Sequence, residues 1–421
     1  MLKQHIRTTT ARRGWSAMPL RAVATGAAVL LAVGACGSAP SKSAGSTAST
    51  KPLVVGISLP LTGDFSQPGG EARKGYEIWR DQVNAAGGLL GRQVQLKITD
   101  DASNQDTVVT DYTKLITQDK VDLLLGTFST LLNFPASSVA EKNRMLYVEP
   151  AGGAPKMFSR GYTKLFFAQQ ATAGHQPDVF VDYIKSLPEA QRPKTAAYPT
   201  QDDPFTTPVI SSMQKQLEAL GVKTVYTTTY PADATNFQTI ASAIAAKKPD
   251  LIAQGAVFED GVGLVRSLQQ LKYSPKFLFQ TSAPTNAGQY SSGIGVKNTE
   301  GVFYTVSWSE KAKTPGNAAF VAQYAKLYNG AVPAEDAADA YAAAQVLQAA
   351  AKGVGSLDQA KMAAWLHANT VETVLGPLAW DQTGAPTKQF LLGQWQNGAA
   401  EIVAPKAAAT VDKAVAKTPW Q

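Results

Sequence analysis

The sequence predicts an α/β fold with two lobes, each built on a largely parallel β-sheet. The first observation is an alternation of apolar, β-branched segments such as 53–59 with amphipathic stretches, a pattern typical of parallel sheets with right-handed crossovers. The second is that the alternation starts again after about residue 172. The third is length, because the chain has 421 residues and can bury two hydrophobic cores.

In the first half, a buried strand at 53–59 precedes a helix whose apolar residues recur every three or four positions and which ends at Gly87-Gly88. The pattern continues with strands at 94–98, 121–125 and 145–148 and helices near 106–118 and 135–143. The segment 123–137, LLLGTFSTLLNFPAS, interrupts two apolar runs with glycine and hydroxyl residues. We expect residues 127–133 to be irregular, because the next helix is predicted to start at Pro135.

In the second half, the alternation predicts strands at 194–198, 222–229, 250–254, 276–280 and 302–306, with helices at 206–219, 236–247 and 260–271. Two alanine-rich helices, 316–328 and 335–352, have no strand between them and must cover an existing sheet. The tail over 406–421 is rich in alanine and lysine, and we expect it to be disordered.

The amino terminus is typical of an exported lipoprotein. Residues 1–35 combine a basic start, a short apolar core and small residues, which predicts a signal peptide. Cys36, the only cysteine, closes a VGAC sequence that resembles a lipobox, so we expect lipidation there rather than a buried thiol. Residues 36–51 form a predicted flexible tether. The start codon is either Met1 or Met18.

Composition excludes several function classes. The net charge of +7 comes mostly from the leader, and the remainder carries 34 basic and 32 acidic residues, so nothing favours nucleic-acid binding. Outside the leader there are only two histidines, His175 and His367, and neither belongs to a metal-binding or nucleophilic motif. We therefore expect no enzyme activity, no metal and no cofactor.

Several loops together resemble the type I periplasmic binding proteins of the leucine/isoleucine/valine-binding class. They are GISLPLTGDFSQPGGEARKGYEIW, DDASNQ, LLGTFST, VEPAGGAP, DDPF, TNFQTIASAIAAKKPDLI and LGPLAWDQTGAP, in family order between about 52 and 395. The resemblance implies two Rossmann-like lobes joined by three hinge crossings near residues 171, 309 and 390. Lobe 1 would then comprise 52–171 and 309–389, and lobe 2 would comprise 172–308 and 390–405.

The resemblance also implies where a ligand carboxylate binds. In the family, the position of Thr130 supplies a hydroxyl and an N–H, and the loop from Ala151 to Gly153 supplies a carbonyl and an N–H. Ser129 is a further candidate, since free N–H groups and hydroxyls in a dry cleft suit an anion. The alternative for Ser129 and Thr130 is capping of the following helix.

The chain departs from the family pattern where the ligand ammonium would bind. The family glutamate is missing from the segment 280–284, which contains Ser282. A buried ammonium needs a partner, and Glu149 and Glu259 are the candidates, although Glu149 could simply face solvent. Gly153 replaces a family threonine, and Val257 replaces a wall tyrosine.

Three aromatic residues could form the walls of the site. Phe205 matches a ligand-facing aromatic of the family, whereas Phe65 and Phe258 could equally belong to the core. A further acid, Asp260, more simply caps its helix.

The sequence therefore predicts the substrate-binding lipoprotein of an ABC importer, held outside the cell membrane through Cys36. Its ligand would be a small hydrophobic amino acid of the branched-chain type, or a related aromatic or aliphatic carboxylate without an ammonium group. Its partners would be an ABC permease and ATPase, and we expect a monomer. The alternative is a ligand sensor that uses the same fold.

Overall fold

The computed structural model describes residues 51–421; the predicted signal peptide, Cys36 and the tether up to residue 50 lie outside this range. Within 51–421, no helix is both long and apolar enough to cross a membrane. The described chain has two main sheets and one short two-stranded sheet. The predicted two-lobed α/β fold with parallel sheets is therefore confirmed.

The first sheet has five parallel strands in the order β2-β1-β3-β4-β5. The strands are β1 (Leu53–Leu59), β2 (Val94–Asp100), β3 (Leu123–Leu125), β4 (Tyr147–Glu149) and β5 (Leu165–Phe167). The helices that connect them are α1 (Ser66–Ala85), α2 (Gln105–Thr117), α3 (Ser129–Lys142) and α4 (Pro155–Phe158). Most of these strands are buried on both faces, as their nearly continuous apolar sequences predict.

The second sheet has seven strands in the order β14-β13-β10-β9-β8-β6-β7. The strands are β6 (Thr195–Gln201), β7 (Lys223–Tyr230), β8 (Leu251–Gln254), β9 (Phe277–Gln280), β10 (Val302–Val306), β13 (Leu391–Gln396) and β14 (Ala399–Ala404). The helices are α5 (Asp178–Ser186), α6 (Thr206–Ala219), α7 (Gln238–Lys247), α8 (Glu259–Gln270) and α9 (Ala287–Ile294). Strands β13 and β14 form an antiparallel hairpin that the sequence pattern did not predict.

After β10 the chain returns to the first sheet. It adds α10 (Asn317–Leu327), α11 (Glu335–Val354), α12 (Gln359–Ala368) and the hairpin β11 (Val371–Thr373) and β12 (Gly376–Leu378). Helix α11 packs against α1 so closely that a Cβ on Gly75 would lie 2.0 Å from the carbonyl oxygen of Ala337. The two helices share one hydrophobic core with β1, β3 and β4. The alanine-rich sequence of α11 is therefore what allows this close approach.

The tail after β14 is packed against the second sheet, which corrects the expectation that 406–421 is disordered. The Gln394 side chain accepts a hydrogen bond from the Val415 N–H and donates one to its carbonyl, both at 2.8 Å. The Trp420 indole donates to the carbonyl of Tyr273 at 2.6 Å. Composition missed this because the ordering comes from partners that are distant in sequence.

Side-chain and backbone hydrogen bonds join the three crossings between the lobes to one another and to α11. Gln169, on the first crossing, donates to Asp339 of α11 at 2.5 Å. Gln170 donates to the carbonyl of Ser307, on the second crossing, at 2.6 Å. The Lys388 N–H, on the third crossing, donates to the carbonyl of Gln170 at 2.7 Å. The hinge is thus a hydrogen-bonded unit at the base of the cleft.

Because Gly75 has no room for a side chain, the Gly75→Ala variant should force α1 and α11 apart. Overpacking of this kind costs about 1–3 kcal/mol of unfolding free energy, which urea denaturation would measure. Gly70→Ala in the same helix is the matched control, since a Cβ there meets no atom within 4 Å. The control should be neutral or gain about 0.5–1 kcal/mol through helix propensity. Equal stabilities of the two variants would contradict the close packing of the helices.

Candidate functional site

A cavity of about 60 Å³ lies between the lobes, at the carboxyl ends of the strands of both sheets. In the first sheet, β1 has β2 on one side and β3 on the other, and β6 lies in the same way between β7 and β8. Ligands of open α/β sheets bind at such topological switch points. By the same measure a water needs roughly 10–15 Å³, so the enclosed space suits a small ligand.

The amino terminus of α3 forms one end of this cavity. Helix α3 begins at Ser129 and contains Pro135, so the expectation that 127–133 is irregular is wrong. The Asn133 amide explains the early start: its Oδ1 accepts from the Thr127 N–H at 3.2 Å, and its Nδ2 lies 2.9 Å from the carbonyl of Ser129 and 2.8 Å from that of Ala151. This one buried side chain holds the loop in a helix-initiating geometry.

The first turn of α3 is free to bind an anion. Its N-cap residue is Phe128, which makes no side-chain capping hydrogen bond, so neither Ser129 nor Thr130 caps the helix. The first N–H groups of any helix lack intrahelical partners, and the helix dipole adds partial positive charge there. A carboxylate could therefore be bound at this end without a basic residue.

Ser129 has two unusual properties. Its φ is +65°, a left-handed conformation that is strained for a residue other than glycine. Its side chain is 7% exposed, lines the cavity, and its Oγ has no hydrogen-bond partner within residues 51–421. A buried hydroxyl without a partner is costly, and a ligand in the cavity would supply the missing bond.

The loop after β4 approaches α3 through two glycines. Gly152 has φ +116°, and a Cβ on it would lie 2.5 Å from the Thr130 nitrogen, so any side chain at 152 would cover the first turn of the helix. Gly153 has φ +67°, and a Cβ on it would lie 2.1 Å from the Phe167 ring. The family threonine cannot fit at 153 in this packing.

Lobe 2 contributes both apolar and polar residues to the cavity. Phe205, Val257 and Phe258 line it together with the hydroxyl groups of Thr281 and Ser282. Val257 also packs against the hydrophobic core of lobe 1, so the lobes are in contact across the cleft.

Buried acids hold these lobe 2 loops in place. Asp260 accepts from the N–H groups of Val257 and Phe258 at 3.0 and 3.1 Å. Asp203 accepts from the Phe205 N–H at 2.8 Å. Burial raises the pKa of Asp260 to about 6. These two acids position the aromatic wall through its backbone.

The structure brings five of the predicted site residues together. Ser129, Ala151, Phe205, Phe258 and Ser282 all line the cavity.

The other predicted residues lie elsewhere. Thr130 is buried, and its Oγ1 accepts from the Ala154 N–H at 3.3 Å, so it holds the glycine loop. Gly153 packs on Phe167, and Phe65 packs on Phe128, with ring centroids 5.6 Å apart. Glu259 is exposed at the start of α8.

Glu149 is fully buried at the end of β4, so the solvent-facing alternative for it is wrong. Neither of its carboxyl oxygens has a hydrogen-bond partner within residues 51–421. Burial raises its pKa far above the usual range, although the Arg160 charge opposes this. A buried, neutral carboxyl outside the cavity lining cannot pair with a ligand ammonium there.

Three acids that the sequence pattern did not single out also line the cavity. Glu335, Asp336 and Asp339 lie in the first two turns of α11 and line the cavity. The alanine-rich pattern of α11 predicts only a helix that covers the sheet. The available signal was three acids at positions i, i+1 and i+4, which places them close together at one end of a helix.

These acids share protons. The Ser307 Oγ lies 2.8 Å from Glu335 Oε1 and 2.5 Å from Asp339 Oδ1, but a hydroxyl can donate only one proton. One of the two carboxyls must therefore keep its proton and donate it. Burial and the neighbouring Glu335 raise the pKa of Asp339 well above the usual range. Burial, then Glu335 and Glu71, raise the pKa of Asp336 to about 8.

The position of the missing family glutamate contributes no charge to the cavity. Gln280, at the end of β9, donates to Gln254 Oε1 at 2.6 Å and to the carbonyl of Gly261 at 2.9 Å, and it accepts from the Tyr290 hydroxyl at 2.5 Å. Both the nitrogen and the oxygen of its amide are therefore hydrogen-bonded to groups inside lobe 2. Among residues 51–421 there is also no group of three or more His, Cys, Asp or Glu side chains that could hold a metal ion.

The fold and the enclosed cleft define a two-lobed protein that binds a small molecule between its lobes. Residues 52–400 match the family described as periplasmic binding protein. The chain belongs to this family, and the match supports the resemblance of its loops to the type I, leucine/isoleucine/valine-binding class. Members are extracytoplasmic solute binders rather than enzymes, and they work with ABC permease and ATPase components.

Individual relatives differ in what they bind. An amino acid binding protein of Pseudomonas aeruginosa is 26% identical over 84% of this chain and 92% of that protein. The Leu/Ile/Val-binding protein BraC3 of Rhizobium johnstonii is 26% identical over 82% of this chain and 92% of that protein. A solved structure is also similar: the solute-binding protein of an ABC transporter from R. palustris, in complex with benzoate. It is 21% identical, with a TM-score of 0.75, and the match covers 87% of this chain and 99% of that protein. At 21% identity, the similarity to the R. palustris protein shows only that the two chains share a fold.

The raised pKa of Asp336 predicts how the stability of the ligand-free protein changes with pH. Between about pH 4 and pH 8 the folded state keeps a proton that the unfolded state releases, so stability falls as pH rises through this window. Asp336→Asn removes this site and should flatten the fall, which calorimetric melting temperatures from pH 4 to 9 would show. Asp202→Asn, at an exposed acid outside the cavity, should behave like wild type. Parallel curves for all three proteins would contradict the assignment.

Proposed function

We propose that this protein is the lipid-anchored substrate-binding component of an ABC importer, and that it encloses a small amino acid or related carboxylate between its lobes. Its membrane attachment would be a lipid on Cys36, and it would act as a monomer that delivers ligand to a permease and ATPase. The named ligands of its relatives, amino acids in two cases and benzoate in the third, share a carboxylate.

The observation that carries this proposal is the uncapped amino terminus of α3 beside the unpaired Ser129 hydroxyl. Both lie at a cavity that is closed on the other side by Phe205, Val257 and Phe258. A ligand carboxylate would accept hydrogen bonds from the first turn of α3 and from Ser129, while its apolar part would lie against the lobe 2 wall. Exclusion of water between the closed lobes strengthens each of these hydrogen bonds.

The mode of closure follows from the hinge. The crossings are short and joined by Gln169 and Gln170, so small backbone rotations there would open the cleft as two rigid bodies. Opening would separate Val257 from the lobe 1 core and expose the cavity. Ligand binding would stabilise the closed state by the difference between the binding free energies of the ligand for the closed and open states.

Ser129→Ala should weaken binding without unfolding the protein. A hydrogen bond to a charged group contributes about 1.5–3 kcal/mol, which corresponds to roughly ten- to hundredfold in affinity. Titration calorimetry would measure it with whichever amino acid or carboxylate stabilises the wild type in a thermal-shift screen. Ser211→Ala, at an exposed position of α6, is the matched control and should bind like wild type. An unchanged affinity in Ser129→Ala would show that the Ser129 hydroxyl does not bind the ligand.

A further inference from the structure

We propose that Asp336, supported by Glu335 and Asp339, binds a cationic group of the ligand, so that the natural ligand must carry an ammonium or similar group. This inference rests on the proposed function, because it concerns the same interlobe cavity. It assigns the cation partner to α11 of lobe 1, in the same cavity as the proposed carboxylate site.

The charged residues that line the cavity are all acidic. Its lining contains four acids, Asp203, Glu335, Asp336 and Asp339, and no lysine, arginine or histidine from the described chain. A ligand with a carboxylate alone would add negative charge to a space that already holds four carboxyl groups and no basic side chain, and like charges in a poorly hydrated site repel strongly. A ligand that also carries a cation meets a complementary surface instead.

The four acids differ in how far other groups of the described chain already hydrogen-bond to them. Asp203 is occupied by the Phe205 and Thr206 N–H groups at 2.8 and 3.1 Å. Asp339 is occupied by Gln169 and Ser307, and Glu335 is occupied by Ser307. Among residues 51–421, Asp336 has no side-chain hydrogen-bond partner; only its own backbone N–H contributes. Asp336 is thus the acid that is free to contact a ligand.

The unpaired Ser129 hydroxyl is an independent sign that a ligand belongs in this cavity, since it is more than nine-tenths buried and lines the same space. The helix start that carries Ser129 suits a negative group, and the helix start that carries Asp336 presents carboxylates. A ligand with one charge of each sign fits both ends. Both ends belong to lobe 1, so such a ligand can be held there before lobe 2 closes over it.

Lobe 2 offers no substitute partner for a cation. Gln280 is fully used by Gln254, Gly261 and Tyr290, and Glu259 is exposed outside the cavity. Glu149 of lobe 1 also lies outside the lining. An unpaired buried ammonium costs several kcal/mol, so a cationic ligand in this cavity depends on α11.

Binding of a cation should release protons. The groups that act on Asp336 are Glu335 and Asp339 of the same helix and Glu71 of α1, and Glu71 is itself paired with Lys74 at 2.7 Å. Asp203 faces the same cavity from lobe 2. A ligand cation beside Asp336 would favour its ionised form and lower its raised pKa. Near pH 7 the protein would therefore lose up to one proton per ligand bound.

The first experiment is a thermal-shift screen of the full chain with matched probes. Each of the twenty amino acids is paired with its deaminated acid, for example L-leucine with 4-methylpentanoate, and benzoate is paired with benzylamine. We expect the stabilising probes to carry an ammonium group. Stabilisation by the deaminated acids or benzoate alone would overturn this inference and leave the proposed function intact. If no probe stabilises the protein, the proposed function fails and the inference falls with it.

The second experiment uses Asp336→Asn with the best stabilising probe. Titration calorimetry should show affinity at least tenfold lower than wild type, and titrations in two buffers of different ionisation enthalpy should show that proton release is lost. Asp202→Asn, on the surface of lobe 2, should retain wild-type affinity and proton release. The asparagine variant removes one of several repelling carboxylates, so its fold should persist. Wild-type affinity and proton release in Asp336→Asn would overturn the assignment.

Discussion

The carboxyl of Asp339 joins the hinge to the ligand cavity, and much of the site geometry depends on it. It accepts a hydrogen bond from Gln169 on the first crossing and lies 2.5 Å from the Ser307 hydroxyl on the second. The same side chain lines the cavity beside Asp336. Because a buried carboxyl without partners is costly, this network must stay satisfied or change as a unit. A change of charge in the cavity would therefore act, through Asp339, on the hydrogen bonds of Gln169 and Ser307 at the crossings.

The two lobes contribute different chemistry to the cleft. Lobe 1 provides the uncapped start of α3, the Ser129 hydroxyl and the acids of α11. Lobe 2 provides the apolar side chains of Phe205, Val257 and Phe258 beside several polar residues, and its loops are held by Asp203 and Asp260. In the proposed mode of binding, lobe 1 selects the charged groups and closure of lobe 2 adds apolar burial. This division differs from the family pattern, in which a lobe 2 glutamate pairs with the ligand ammonium.

Local patterns in the sequence predicted the elements with strong periodicity. The buried strand at Leu53–Leu59 and the amphipathic face of α1 follow from residues a few positions apart. The early start of α3 could not be predicted in this way, because Pro135 is a local signal to begin a helix whereas the hydrogen bond from Asn133 to the Ala151 carbonyl joins residues 18 positions apart. The ordered tail was missed for the same reason, since Gln394 fixes Val415 from 21 residues away.

The sequence by itself determined the two-lobed α/β class, the order of the loops at the cleft and the absence of the family glutamate, because these depend on periodicity and on residue identity in order along the chain. Only the tertiary structure decided which side chains share the cavity. It brings Ser129 of α3 and Asp336 of α11 to one space, although 206 positions separate them, and it removes Glu149 from it. The physical reason is that burial and charge environment are set by packing between distant segments.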